Sequence, residues 1–252
     1  LLASNHDAVD VLKARQKPSV ELSKEVVQEE VDAVIIGAGA AGIAAALRAE
    51  ELGLSVILLE KLSFIGGAIS VSGGNQVVMG SRLQKEAGVL DDTVELMVED
   101  FLANGNHANV KQLLTLLAEN IGPTTDWVHD YVGVQYDMEG GLHVLAEYQK
   151  DRELAYAHCG HGFAASVRSK VADSSVRLLL QTKAQQLLTD GNGRVTGLVA
   201  VEDNGRTHRI YAKAVVVTTG GYGNNKHLLP KRLKDVLFYG TRSSMGEGLL
   251  MA

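Results

Sequence analysis

The chain has 252 residues, enough for one large domain or two small ones, and 46% of them are hydrophobic. Lys and Arg total 24 against 30 Asp and Glu, and no block of like charge indicates binding to nucleic acid or to an anionic membrane. No apolar run approaches the ~20 residues of a membrane span. The single cysteine, Cys159, excludes an internal disulfide and gives no sign of an oxidising compartment.

Both ends of the sequence have the appearance of cut sites. The chain begins with Leu-Leu rather than Met, and it ends at Met251-Ala252 inside an apolar, helix-like run. We therefore expect a piece of a longer, cytoplasmic protein, from which a signal peptide would already be missing if there had been one. Residues 1–30 are polar and charged, with Pro18 as a breaker, and are predicted to be a linker or the tail of a preceding domain.

The stretch from residue 31 to residue 61 carries the clearest pattern. Ala33–Ile36 is a short apolar run without charge, which predicts a strand buried on both faces of a parallel sheet. A G-x-G-x-x-G follows directly, formed by Gly37, Ala38, Gly39, Ala40, Ala41 and Gly42. The next residues predict a helix over Ile43–Leu52 that is closed by Gly53, and then a second strand over Ser55–Leu59.

These glycines and the acid after the second strand together predict a dinucleotide site. Gly37 permits the tight turn, Gly39 lets a pyrophosphate approach the backbone, and Gly42 lets helix and strand pack closely. The helix N-terminus offers unpaired N–H groups to the phosphates. Glu60, eighteen residues past Gly42, can accept the hydroxyls of an adenosine ribose and would repel the 2′-phosphate of NADP. The alternative is a tight turn that binds no ligand. The dinucleotide site is favoured because the strand, the glycines and the acid occur together.

The segment after Glu60 differs from an ordinary NAD-binding domain, in which another crossover helix would follow the second strand. Lys61 is followed instead by two glycine pairs with serines between them, within residues 62–76, and this composition makes a poor helix. A flexible surface loop is one interpretation. The position directly after Glu60 favours a segment that lines the cofactor from its adenosine end towards a flavin.

The middle of the chain is predicted to be helical. Asp92 is predicted to cap a helix, with Glu95 as its capping-box partner. A second helix is predicted over Val110–Ala118, and Thr124 or Thr125 is expected to cap a third. The apolar residues of these helices are predicted to be core, among them Leu113, Leu114, Leu116 and Leu117.

A cluster of metal-ligating residue types lies at His158, Cys159 and His161, with His143 as a distant fourth. Zinc requires four well-placed ligands, and this close spacing matches none of the usual pairs, so no metal is predicted. The cluster is more typical of a glycine-rich turn that opens a helix over Phe163–Val171. One of its histidines is then a candidate to face the flavin side.

The last third of the chain is predicted to be rich in strands. Strands over Val176–Gln181, Ala184–Leu188, Arg194–Val201 and Thr207–Tyr211 form a β-meander with turns between them. A separate buried strand then begins at Ala212 and runs into the paired glycines at residues 220–221. A strand that returns to a parallel sheet and ends in glycines is typical of the edge at which an α/β fold binds its ligand.

Several motifs together resemble one family, the flavoproteins of fumarate reductases and succinate dehydrogenases, especially the soluble flavocytochrome c-type fumarate reductases. The resemblance covers residues 31–252 and is carried by GAGAAG at 37–42, LLEK at 58–61, AENIGPTTDWV, RVTGLVA, TTGGYGNN at 218–225 and MGEG at 245–248. It implies an α/β fold, a Rossmann-like FAD-binding domain over residues 31–252 with a central parallel sheet, inserted helices and a β-meander. The family's substrate-capping domain is expected to lie outside these 252 residues.

The resemblance also implies a set of FAD contacts. Gly37 to Gly42 would hold the pyrophosphate, Glu60 the ribose, and Ala184, Thr219 and Gly220 the adenosine end. Lys61 is also expected among the FAD contacts. The residues that would line the pyrophosphate and the isoalloxazine are Gly66, Gly67, Ala68, Ile69, Gly73 and Gly74. Glu247 stands where the family usually has Asp in G-D-G beside the flavin, and Ala68 stands where asparagine is frequent.

The implied activity is that of an FAD-dependent oxidoreductase, with hydride transfer from flavin N5 to the double bond of fumarate or a related enoate. The family's catalytic acid lies in or after the capping domain, so no catalytic residue is assigned and the chain alone is expected to be inactive. A small dicarboxylate or enoate would bind through that domain, and the electron donor is not identified. Alternatives are a ketosteroid dehydrogenase or L-aspartate oxidase of the same fold, or a non-catalytic flavin module that relays electrons.

Overall fold

The computed structural model describes residues 26–142 and 147–252. The chain divides into two compact units. The first, which we call the sheet unit, comprises the residues up to Ala68 and those from Val171 to Ala252. The second, Ile69–Lys170, is called the helical unit.

The helices and strands of the described residues follow one another along the chain in a mixed α/β order. They are β1 (Val26–Ile36), α1 (Ala40–Glu51), β2 (Val56–Leu59), a 3-10 helix (Gly67–Val71), β3 (Asn75–Val77), α2 (Arg82–Glu86), α3 (Val94–Asn104), α4 (Lys111–Asp130), β4 (Glu153–Ala155), α5 (Cys159–Ala172), β5 (Arg177–Leu179), β6 (Thr182–Thr189), β7 (Val195–Glu202), β8 (Thr207–Val217), a second 3-10 helix (Lys231–Leu233) and α6 (Glu247–Met251). Every helix within the described ranges is too short or too polar to cross a membrane.

The sheet unit is built on a six-stranded sheet with the order β5-β2-β1-β8-β7-β6. Neighbouring strands from β5 to β8 in this order are parallel, whereas β8, β7 and β6 form consecutive antiparallel pairs. The predicted central parallel sheet is confirmed. The β-meander is confirmed for β6, β7 and β8, but β5, which was predicted to be its first strand, pairs in parallel with β2 instead. No crossover α-helix follows β2 directly, as the glycine-rich composition predicts; the chain passes instead into the 3-10 helix.

The predicted buried strand at the centre of the sheet is also confirmed. Ala33–Ile36 and all of β2 are buried. Their side chains form a core with apolar residues of the meander, which comprises Val34, Ile36, Ile57, Leu59, Leu198, Ala200, Ile210 and Ala212. A strand that carries apolar residues on both faces is stable only between two covered faces, which accounts for the uncharged run.

Two strand boundaries differ from the predictions. Val26–Glu30 were predicted to be linker but pair with β8, so they belong to the sheet, while residues 1–25 of that prediction lie outside the described residues. Thr207–Tyr211 and the strand predicted from Ala212 are one continuous strand. The reason is the same for both corrections, because β1 and β8 pair in parallel from Val26 opposite Thr207 to Ile36 opposite Val217.

In the helical unit, the cap of α3 is Thr93 rather than the predicted Asp92. The Thr93 hydroxyl accepts a hydrogen bond of 3.2 Å from the N–H of Leu96. The Asp92 carboxylate is instead held by Arg152, whose Nη2 lies 2.6 Å from Oδ1. Because the ion pair with Arg152 fixes the Asp92 side chain, Thr93 is the residue that caps α3.

The predicted break before a third helix is wrong, because α4 runs without interruption through Pro123. The Thr125 hydroxyl donates to the carbonyl of Ile121 at 2.7 Å within the helix, so it does not cap a new one. Proline removes one backbone donor and usually kinks a helix, yet here the helix continues past it.

The apolar stripe of α4 is only partly core, which corrects another prediction. Ala118 is buried and packs with Met79 and Met97, and Leu114 is partly buried against the same cluster. Three leucines of the opposite face are exposed, Leu113, Leu116 and Leu117.

Candidate functional site

The turn between β1 and α1 requires its first and last glycines. Gly37 has φ +101°, and a Cβ added there would lie 2.7 Å from the carbonyl oxygen of Thr218. A Cβ added at Gly42 would lie 1.9 Å from the carbonyl oxygen of Gly37 and 2.6 Å from the Thr218 hydroxyl. Helix α1 therefore packs against the turn and the end of β8 at a distance that only glycine permits.

Gly39 is different, because its surroundings are open. It is the N-cap of α1, and no heavy atom lies within 4 Å of the position that a Cβ would occupy. No side chain caps this helix, and its first turn contains no acidic residue. The helix N-terminus thus presents backbone N–H groups and a partial positive charge towards free space beside a bare backbone, which is the environment that a pyrophosphate requires.

The first glycine pair after β2 lies directly beside Gly39. The N–H of Gly66 donates to the carbonyl of Ala38 at 2.8 Å, and Gly66 and Gly39 form an isolated parallel bridge. A Cβ added at Gly67 would lie 3.1 Å from the Cα of Gly39. Ala68, the next residue, is exposed. The glycine-rich segment after β2 is therefore hydrogen-bonded to the turn between β1 and α1.

Glu60 is buried at the end of β2, with only 8% of its surface exposed. One carboxylate oxygen accepts from the N–H of Ala38 at 2.9 Å, and the other accepts from the N–H of Leu62 at 2.9 Å. Each carboxylate oxygen can accept a second hydrogen bond. The side chain is thus fixed by the backbone and still has one acceptor site on each oxygen, which suits a ribose diol.

Lys61 and Glu247 form an ion pair, and the glutamate is shared with Lys183. The Lys61 ammonium contacts Oε2 of Glu247 and also donates to the carbonyl of Ser243 at 3.0 Å. Lys183 lies 2.8 Å from Oε1. Burial raises the pKa of Glu247, but the hydrogen bonds from both lysines outweigh it and hold this pKa below its ordinary value. The carboxylate is therefore ionised at neutral pH.

The remaining predicted contacts of the sheet unit lie at strand ends. Thr219 and Gly220 follow β8, and a Cβ added at Gly248 would lie 2.1 Å from the Thr219 hydroxyl. Ala184 is half-buried in β6, opposite Ala200 and next to a register shift. Gly220 is exposed with φ +73°.

Ile69, Gly73 and Gly74 belong to the helical unit. There Gly74 is buried against the start of α5, because an added Cβ would lie 2.5 Å from the Cα of Cys159. The N–H of Tyr156 donates to the Gly74 carbonyl at 2.7 Å. Gly74 thus has a packing role within its own unit, whereas Gly73 is exposed.

A glycine-rich turn was predicted before a helix that begins at Phe163, but α5 begins at Cys159, so Cys159 and His161 lie in its first turn. His158 and Cys159 are both in the left-handed region, at φ +62° and +57°. Across residues 26–142 and 147–252, no group of three or more His, Cys, Asp and Glu side chains could hold a metal ion. His143, the fourth candidate, lies outside the described residues.

Two residues of the site region are not found by sequence reasoning. Thr218 lies within the TTGG motif, and its hydroxyl is 2.9 Å from the carbonyl oxygens of both Ile36 and Gly37. Lys183 is next to the predicted contact Ala184 but has no motif of its own. The threonine could have been inferred from its place in the motif, whereas the lysine is brought to Glu247 only by the fold.

A strand–turn–helix–strand unit with an open helix N-terminus and a buried acid after the second strand defines a Rossmann-type dinucleotide-binding domain. Residues 32–252 match the family described as FAD binding domain, and the chain belongs to that family.

Known relatives share this region. The chain is 32% identical over 243 residues to the urocanate reductase of Eggerthella lenta, which covers 91% of this chain and 39% of that protein. It is 30% identical over 238 residues to the acrylate reductase flavoprotein subunit of Shewanella woodyi, covering 88% and 46%. The solved open conformation of a flavocytochrome c3 fumarate reductase superposes with a TM-score of 0.81 at 28% identity, over 89% of this chain and 40% of that one. The chain thus spans less than half the length of these relatives.

Proposed function

We propose that this chain holds FAD in a flavin-dependent oxidoreductase that reduces the carbon–carbon double bond of an enoate. The open backbone at Gly39 is the observation that carries the FAD site, because it offers N–H groups and no side chain where a pyrophosphate would lie. The choice of enoates is supported by relatives whose names state reduction of urocanate, fumarate or acrylate, all of them unsaturated carboxylates.

We propose that different residues of the sheet unit bind different parts of FAD. The α1 N-terminus and Gly39 would hold the pyrophosphate, with Gly66 and Gly67 along its other side. Glu60 would accept the ribose hydroxyls with the acceptor capacity that its backbone bonds leave. Thr219, Gly220 and Ala184 are proposed for the adenosine end, and Glu247, which Lys61 binds, for the flavin side. Ile69, Gly73 and Gly74 keep their sequence-based assignment as a prediction.

When bound, FAD supplies a flavin ring that can transfer a hydride to an activated double bond. The residues of this chain orient the dinucleotide and fix its charge environment. No residue of the chain is assigned as the acid that protonates the product, and we propose that it comes from a capping domain, which would also bind the dicarboxylate or other enoate. The isolated chain of 252 residues is accordingly expected to show no turnover.

Two measurements on the holoprotein test this proposal. Denaturation should release FAD, whereas recovery of a nicotinamide nucleotide alone would contradict the cofactor. The flavin should then be reduced anaerobically and mixed with fumarate, acrylate or urocanate, with free reduced flavin as the background. Reoxidation above background by one of these acids is expected. If none of them reoxidises the flavin while a protein electron acceptor does, the protein is an electron-relay module.

A further inference from the structure

The ion-pair cluster of Lys61, Lys183 and Glu247, which we call the lysine bridge, joins three distant parts of the sequence. Each oxygen of the Glu247 carboxylate is bound by a different lysine. The three side chains are 26%, 45% and 28% exposed, so the cluster is partly withdrawn from water. Partial burial makes these contacts stronger than those of an ordinary surface pair.

The backbone segments that carry Lys61 and Lys183 are hydrogen-bonded to each other. Lys61 directly follows Glu60, and Lys183 is the second residue of β6. The N–H of Thr182 donates to the Glu60 carbonyl at 2.9 Å, and the N–H of Gln181 donates to the Leu62 carbonyl at 3.0 Å. These bonds hold both lysines next to the turn that carries Glu60.

Glu247 follows a segment without regular structure, and backbone groups of that segment are hydrogen-bonded to a second part of the chain. The N–H of Gly246 donates to the Gly221 carbonyl at 3.1 Å, and the Asn225 amide donates to the Met245 carbonyl at 3.0 Å. These contacts tie the segment to residues 221–225. The lysine bridge, with the bond from Lys61 to Ser243, ties the same segment to the Glu60 turn.

We propose that Lys61 and Lys183 are positioning residues that act through Glu247 and hold residues 243–247 in place for FAD, rather than anion-binding residues that touch FAD themselves. Both ammonium groups are directed to one carboxylate, which offsets part of their charge. This inference rests on the proposed FAD site, and it adds Lys183 as a residue that determines FAD affinity.

A double-mutant cycle distinguishes the two roles. The flavin is removed from the protein, and FAD is titrated back by isothermal calorimetry into wild type, K61M, E247Q and K61M/E247Q. We expect K61M and E247Q each to weaken FAD binding about tenfold and the double variant to be no weaker than E247Q, because a residue that acts through a partner has no further effect once the partner is altered. K61R should recover part of the affinity.

The matched control is K213M. Lys213 also forms an ion pair with a carboxylate of the sheet unit, Asp32 at 2.6 Å, but is 78% exposed and outside the proposed site. K213M should bind FAD as wild type does. A melting curve for each variant separates lost folding from lost affinity, and if K61M does not fold, the cycle of K183M with E247Q tests the same coupling.

Additive losses in the cycle, or K61M and K183M with unchanged affinity, would overturn the inference while the proposed function stands. Additivity would mean that the lysine contacts FAD directly. Wild-type protein that binds no FAD would contradict the proposed function and the inference together.

Discussion

Arg152 in the helical unit and Glu60 in the sheet unit are both buried charged side chains, and their charges are satisfied in different ways. Arg152 of the helical unit is 1% exposed and is surrounded by carboxylates, with Nε 2.7 Å from one oxygen of Asp92 and Nη1 bound to Asp100. Glu60 of the sheet unit is 8% exposed, and its carboxylate accepts hydrogen bonds from the backbone N–H groups of Ala38 and Leu62. A buried charge enclosed by counter-charges has no capacity left for a ligand, and the loss of one partner destabilises the fold. A buried charge that keeps acceptor sites can still bind a ligand.

The carboxylates that bind Arg152 are themselves held by further hydrogen bonds within the helical unit. Asp100 accepts 3.0 Å and 3.2 Å hydrogen bonds from the side chain and the N–H of Gln149. Burial raises the pKa of Asp100, but Arg152 and Gln149 lower it by more, so the net pKa lies below its ordinary value. We assign this cluster to stability and not to chemistry.

The largest expected effect is on stability, from R152M. Removing the guanidinium leaves the Asp92 and Asp100 carboxylates buried without their counter-charge, and the free energy of unfolding should fall by about 3–5 kcal/mol. Urea denaturation measures it, and R82M is the control because its ion pair with Asp130 is about half exposed, at 49% and 53%. R82M should match wild type within error. An R152M protein as stable as R82M would show that the buried cluster does not stabilise the helical unit.

The next effect is on the cofactor, from E60Q. Glutamine keeps the length but loses the charge, so FAD affinity should fall by about 1.5–3 kcal/mol, or roughly ten- to a hundredfold. The amide also places a donor against the N–H of Ala38 or Leu62, so some loss of stability is expected as well. Flavin fluorescence gives the dissociation constant, and E99Q, an exposed glutamate of α3, is the control. An unchanged constant in E60Q would show that Glu60 does not hold the ribose.

These two residues also mark how far the sequence alone leads. The site around Glu60 is local in sequence: the strand, the glycine turn and the acid lie within about thirty residues, and each has a signature of its own. Arg152 lies 52 positions after Asp100 and 60 positions after Asp92 in the sequence, and no sequence motif predicts that these residues are in contact. For this reason Asp92 reads as a helix cap although it is an ion-pair partner.

The same distinction explains the other outcomes. The predicted strands and sheet follow from runs of apolar residues, but the length of β8 depends on pairing with β1, which lies far away in sequence. The exposed leucines of α4 have the spacing of a core face, so periodicity alone could not separate them from Ala118. Lys183 reaches Glu247 only because β6 begins beside the Glu60 turn.

A smaller effect, on pH dependence, sharpens the role of Asp100. Its pKa is lower in the folded protein, so its contribution to stability is present above the unfolded value of about 3.9 and is lost as pH falls through the folded value. The free energy of unfolding should therefore decline below about pH 4. Urea curves between pH 3 and pH 6 (roughly the range that spans this value) should show a shallower decline for D100N. An equal slope would mean that Asp100 does not couple to folding.

The open backbone at Gly39 is the centre of the proposed pyrophosphate site, and G39A tests it most directly. Gly39 has φ −80°, which alanine adopts without strain, and apart from its chain neighbours no heavy atom of the described residues lies within 4 Å of an added Cβ. The variant should therefore melt at the wild-type temperature, as should the control G191A in an open surface turn. FAD titration by calorimetry should show affinity at least about tenfold weaker for G39A, or 1.4 kcal/mol, and unchanged for G191A. Wild-type FAD affinity in a correctly folded G39A protein would contradict a pyrophosphate site at Gly39.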